Sequence, residues 1–171
     1  MSLFPAEIEA LAARIIREFT TRGLTIATAE SCTGGLIAGA LTEIAGSSAV
    51  VDRGFVTYSN TAKQQMIGVK AETLARVGAV SRETAIEMAT GALRTAGTRL
   101  AVAVTGAAGP GGGSAEKPVG LVHIAATSIA DIVIHQEMRY GDLGREGIRL
   151  ATVKTALEML LDVVQTGPSG E

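Results

Sequence analysis

The chain lacks tryptophan, has one cysteine and two histidines, and only 3% of its 171 residues are aromatic. Each shortage excludes something. A single cysteine rules out an internal disulfide framework and fits a reducing, cytoplasmic setting. His123 and His135 have no third ligand spaced near them, which argues against structural zinc. With few aromatics, Ala, Val, Ile and Leu must fill the core, which favours close packing of helices on a sheet. The formal net charge is -2, and no block of Lys or Arg offers nucleic acid a footprint. No apolar run is long enough to span a bilayer. The opening MSLFPAEIEA carries acids and no basic stretch, unlike a secretory leader.

What remains is abundant small and aliphatic material. Hydrophobic residues make up 47% of the chain, too many for disorder, and the length suits one domain over residues 1–171. The ends, 1–4 and 165–171, are expected to fray. Ile8, Leu11, Ile15, Ile16 and Phe19 form one stripe at helical spacing, after Pro5 and before Gly23. Leu24 to Thr28 reads as a strand that opens through a polar loop into a helix, Leu36 to Ile44. Val50 to Ser59 reads as a second strand, broken near Asp52-Arg53-Gly54. Asn60 is expected to cap a short helix, Ser81 a longer one from Arg82 to Ala96, and Asp142 the last, to about Val164. Leu100 to Thr105 reads as a buried strand, and Val119–Ser128 with Ile132–Tyr140 as an antiparallel hairpin. The fold class expected is α/β, a three-layer α/β/α sandwich with a mixed, mainly parallel sheet and one antiparallel hairpin.

With histidine scarce, chemistry must come mostly from Ser, Thr, Tyr, Lys and Glu. These residues gather between Thr28 and Lys63. Glu30-Ser31-Cys32-Thr33-Gly34-Gly35 lies at a strand-to-helix turn, where free N–H groups and glycines can cradle a phosphate or carboxylate. A tight turn capped by Thr33 explains the same residues equally well. Thr105 stands at a strand's carboxyl end, where ligands of α/β sheets gather, and Gly106 opens a glycine-rich loop to Pro118. Ser48 and Lys63 could pair as nucleophile and base, because burial can lower a lysine's pKa until its amine takes a hydroxyl proton. Taken singly, Ser48 also reads as a helix-ending turn and Lys63 as a solvated first-turn residue. Cys32 is a rival nucleophile or a small buried thiol. Arg145 could reach an anionic ligand, and Tyr58 could orient a substrate or cap a strand edge.

Five stretches in this order resemble the nicotinamide-nucleotide amidase family, also called the CinA C-terminal domain family. They are TAESCTGG at 28–35, AGSSAVVDRGFVTYSNTAK at 45–63, GAVS at 78–81, VTGAAGPGGGSAEKPVG at 104–120 and GDLGREGIR at 141–149. The resemblance implies a usually dimeric α/β/α domain that hydrolyses nicotinamide mononucleotide to nicotinate mononucleotide and ammonia, without a cofactor. It implies Ser48 as nucleophile and Lys63 as its partner, with Ser31, Tyr58, Thr105 and Arg145 in support. Read onto the substrate, Ser48, Lys63 and Tyr58 are the catalytic set. Ser31, Thr33, Gly34, Gly35, Thr105, Gly106 and Arg145 are the binding set. A non-catalytic nucleotide-binding or interaction module linked to competence and DNA damage is the competing function, and neither needs nucleic acid or membrane as a partner.

Overall fold

The computed structural model describes residues 1–166. Eleven elements follow one another: α1 (Ala6–Arg22), β1 (Ile26–Glu30), α2 (Leu36–Thr42), β2 (Val51–Val56), α3 (Asn60–Ile67), α4 (Ala71–Val77), α5 (Arg82–Ala96), β3 (Leu100–Gly106), β4 (Leu121–Ser128), β5 (Val133–Arg139) and α6 (Gly144–Gln165). The sheet order is β2-β1-β3-β4-β5. β2, β1 and β3 run parallel, while β4 and β5 are antiparallel to their neighbours. Antiparallel pairing thus reaches one strand further than the hairpin, because β4 also runs against β3.

Side-chain size divides the two faces. Ile26, Leu100, Val102, Val104, Val122 and Ile124 project to the side covered by α1, α2 and α6. Ala27, Ala29, Ala101, Ala103 and Ala125 project to the other, where α5 and the end of α3 lie. Small residues on that face let the α5 backbone approach closely. Gly91 continues the economy of space: a Cβ there would stand 1.9 Å from the carbonyl oxygen of Ile67. On the larger face Ile8, Ile15 and Phe19 of α1 are almost fully buried, each worth about 1.5–3 kcal/mol.

Boundaries moved for local reasons. β1 begins two residues later than the apolar run suggested and extends to Glu30, whose side chain is buried. The break expected near Asp52 is a bulge: Ile26 pairs with Val51, and the next residue, Ala27, with Arg53. Ser59, not Asn60, caps α3, its side chain accepting from the Ala62 N–H. Ser81 caps α5 by accepting from Thr84. Asp142 does not cap α6, which starts at Gly144 without a side-chain cap. Of the ends expected to fray, Leu3 donates its N–H to Glu43 and Phe4 packs on the core, while 167–171 lie outside the described residues.

The connections place the site. From β1 the chain passes through α2 to β2 on one side. From β2 it returns through α3, α4 and α5 across β1 to β3. The direction of winding reverses between β1 and β3, and a crevice opens at their carboxyl ends, where Ser31 and Thr105 stand.

Candidate active site

Glu30 ends β1 with 1% of its surface exposed. One carboxylate oxygen accepts from the Thr33 hydroxyl and, at 2.8 Å, from the Ile37 N–H. The other accepts from the Thr28 hydroxyl at 3.3 Å and the Ala38 N–H at 3.0 Å. The anion at the start of α2 is therefore the protein's own side chain. The helical N–H groups at 37 and 38 are thus already engaged, and Thr33 is fully buried against Glu30. Gly34 and Gly35 serve the turn itself, with φ of 58° and 104°.

Ser31 follows, 8% exposed, its N–H donated to Val104 O at 3.1 Å. Lys63 reaches it from α3. A helical side chain points back toward the helix start, and Lys63 Nζ accordingly lies 2.8 Å from Thr57 O, 3.2 Å from Tyr58 O and 3.1 Å from Ser31 Oγ. The lysine is 1% exposed and has no carboxylate within 4.0 Å among the described residues. Burial holds its pKa below the ordinary lysine value, against a smaller upward pull from Cys32. Burial pushes the Cys32 thiol itself up to about 11. It is therefore uncharged at neutral pH, and that upward pull vanishes there.

Carbonyl oxygens only accept, so Lys63 donates to Thr57 O and Tyr58 O, and its third position faces the Ser31 hydroxyl oxygen. When the amine loses its third proton, that position becomes a lone pair toward the Ser31 hydroxyl, the geometry a base needs to take a hydroxyl proton.

Ser48 does not take part in this arrangement. It sits exposed in the 3-10 turn Ser47–Ala49, before β2, whereas Lys63 comes after that strand. β2 spans six residues, about 20 Å at 3.3 Å each. Among the described residues Lys63 hydrogen-bonds Ser31, Thr57 and Tyr58 and not Ser48.

A cavity of about 230 Å³ opens over the Ser31–Lys63 pair, lined also by Cys32, Tyr58, Asn60, Thr105, Gly106 and Arg145. Thr105 donates its hydroxyl to Ala79 O at 2.8 Å, fixing the turn before α5 as a wall. Arg145, in the first turn of α6, donates to Gly109 O at 2.8 Å and to the Tyr58 hydroxyl at 3.3 Å. It is the cation at the cavity's rim. Asn60 also lines the cavity, with the capping of α3 left to Ser59.

His123 and His135 form a stacked cross-strand pair outside this cavity, with Nδ1 and Nε2 2.9 Å apart. Burial holds both below the usual histidine pKa. Among the described residues no helix is long and apolar enough to cross a membrane.

The CinA C-terminal domain family model matches residues 8–164. The chain is 49% identical over 156 residues to the nicotinamide-nucleotide amidohydrolase PncC of Escherichia coli strain K12, covering 91% of this chain and 93% of that protein. It is 49% identical over 153 residues to a CinA-like protein of Geobacter sulfurreducens, of which it spans only 36%. Among solved structures, the competence/damage inducible protein CihA from Agrobacterium tumefaciens superposes with a TM-score of 0.96 at 69% identity, covering 96% of this chain and all of that one. The competence damage-inducible protein A from Klebsiella pneumoniae does so with 0.89 at 37% identity, covering 94% of this chain and 99% of that one.

Proposed function

The chain belongs to the CinA C-terminal domain family, and from that premise we propose that it hydrolyses the carboxamide of nicotinamide mononucleotide, releasing ammonia and nicotinate mononucleotide. The observation that carries the reading is the buried Lys63 amine 3.1 Å from the Ser31 hydroxyl, in a cavity at the winding switch. Ser31 Oγ attacks the amide carbon while Lys63 takes its proton. The tetrahedral intermediate collapses, breaking the C–N bond, and Lys63 returns that proton to the departing nitrogen as ammonia. Water then attacks the Ser31 ester with Lys63 again as base, freeing the carboxylate and restoring the serine. No cofactor enters these steps. Arg145 meets the substrate's phosphate at the rim, in place of the helix start that Glu30 fills. Tyr58 and Thr105 shape the walls. The working form in this reading is a cytoplasmic homodimer in pyridine-nucleotide salvage.

The test is ammonia release from nicotinamide mononucleotide, with nicotinamide, its riboside and NAD as comparisons and with product identity checked by mass. The mononucleotide is expected to react far better than the riboside, before and after exhaustive chelation. No ammonia from the mononucleotide sinks the reading. Equal rates for the riboside remove Arg145 as phosphate reader.

A further inference from the structure

We propose that Arg149 is a positioning residue for the Ser31 nucleophile, an inference that rests on the amidase reading above. Arg149 lies one turn beyond Arg145 on α6. Its Nε donates to Cys32 O at 3.1 Å and a terminal nitrogen to Thr33 O at 3.3 Å. One planar guanidinium thus holds the two carbonyls that follow Ser31, across 117 and 116 positions of sequence. Cys32 and Thr33 are both buried, so these carbonyls have little water to turn to. The fit is close: a Cβ on Gly34 would stand 3.4 Å from the same guanidinium.

The turn is now fixed from three sides. Glu30 ties its far end to α2, Ser31 N–H ties its start to β3, and Arg149 ties the peptides between to α6. Lys63 approaches from α3. Ser31 therefore meets its base only if α3 and α6 both hold their places, and Arg149 is the polar link on the α6 side. A lysine there is a point donor and cannot span both carbonyls.

The test compares the wild type with Arg149→Lys and Arg149→Met by steady-state kinetics and by the rate at which a fluorophosphonate labels Ser31, which needs no substrate. Arg149→Met is expected to lower kcat about a hundredfold with KM little changed, to slow Ser31 labelling in step, and to regain part of both with added guanidinium. Arg149→Lys is expected to fall between. The pH at which activity rises should stay put, because Arg149 shares no hydrogen-bond partner with Lys63 and is not among the groups that shift its pKa. Wild-type labelling in a folded Arg149→Met, a loss confined to KM, or a moved pH limb overturns the assignment, as does a wild type whose Ser31 takes no label. Should Arg149→Met fail to fold, Arg149→Lys decides on the same criteria. A wild type that labels at Ser31 but leaves nicotinamide mononucleotide intact fails the amidase reading, and the labelling rates alone then decide on Arg149.

Discussion

Two turns of this chain look alike in composition and differ in everything else. Glu30–Gly35 and Gly46–Ala49 both set serines among glycines and small residues. In the first, Ser31 is buried, pinned through its backbone and bonded to a buried lysine. In the second, Ser48 is exposed and its side chain makes no hydrogen bond among the described residues. Strand polarity separates them. Ser31 follows a parallel strand and Ser48 precedes one, and parallel strands gather only their carboxyl ends at the crevice. A serine's neighbours in sequence say less about its chemistry than the end of the sheet on which it falls.

The largest expected effect tests that contrast directly. Ser31→Ala should lose at least about a thousandfold in turnover, since nucleophile and base act as a unit. Ser48→Ala should keep turnover and thermal midpoint near wild type. Both are read by ammonia release on protein shown folded by circular dichroism. The reverse pattern would return the nucleophile to Ser48 and require the pair to form some other way than within this fold.

Lys63 gives the second effect and adds a sign to it. Lys63→Met removes the base and should lower turnover by about a hundredfold or more. In the wild type, activity should rise with pH as the amine loses its proton, with a midpoint below the ordinary lysine value of 10.5. Stability follows by linkage. The folded pKa is depressed, so the unfolded chain binds more protons between the folded value and 10.5, and wild-type stability rises with pH across that window. Below it both states are protonated and the full cost of the buried charge is present. Lys63→Met has no such proton to lose, so any stability it gains over wild type should shrink from neutral pH toward 10.5. Urea unfolding at several pH values measures the gap. A gap that widens with pH would mean that the folded state favours the charged lysine, and the base assignment would go with it.

The resemblance made the family legible and the hydrophobic period the α/β class, because motif order and period are local facts. Which serine lies against Lys63 is not legible in the same way: it depends on where the ends of β1 and β2 fall, and on a long-range contact across 32 positions. The partners of Glu30 are hidden for a related reason. A turn rich in N–H groups signals an anion, but only the fold shows that the anion is the chain's own carboxylate. Arg149 sat inside a quoted motif without being singled out, and its spacing of four from Arg145 is the one local signal that both face the same way.

The smallest effect should come from Cys32, the residue beside the nucleophile. Its thiol is 6% exposed, and burial pushes its pKa up to about 11, with its own backbone N–H and then Arg149 and Lys63 pulling the other way. A thiol held protonated at neutral pH is a weak nucleophile and a slow target for alkylation. What Cys32 gives the turn is its carbonyl, which Arg149 holds and which any residue at that position would supply. Cys32→Ala keeps that carbonyl and loses one buried sulfur, at a cost of about 1 kcal/mol in stability. Turnover should remain close to wild type, and iodoacetamide should modify the native protein slowly at neutral pH and faster as pH approaches the thiol's value. Rapid alkylation at neutral pH that substrate blocks, together with an inactive Cys32→Ala, would show an activated thiol and move the nucleophile one residue along the same turn.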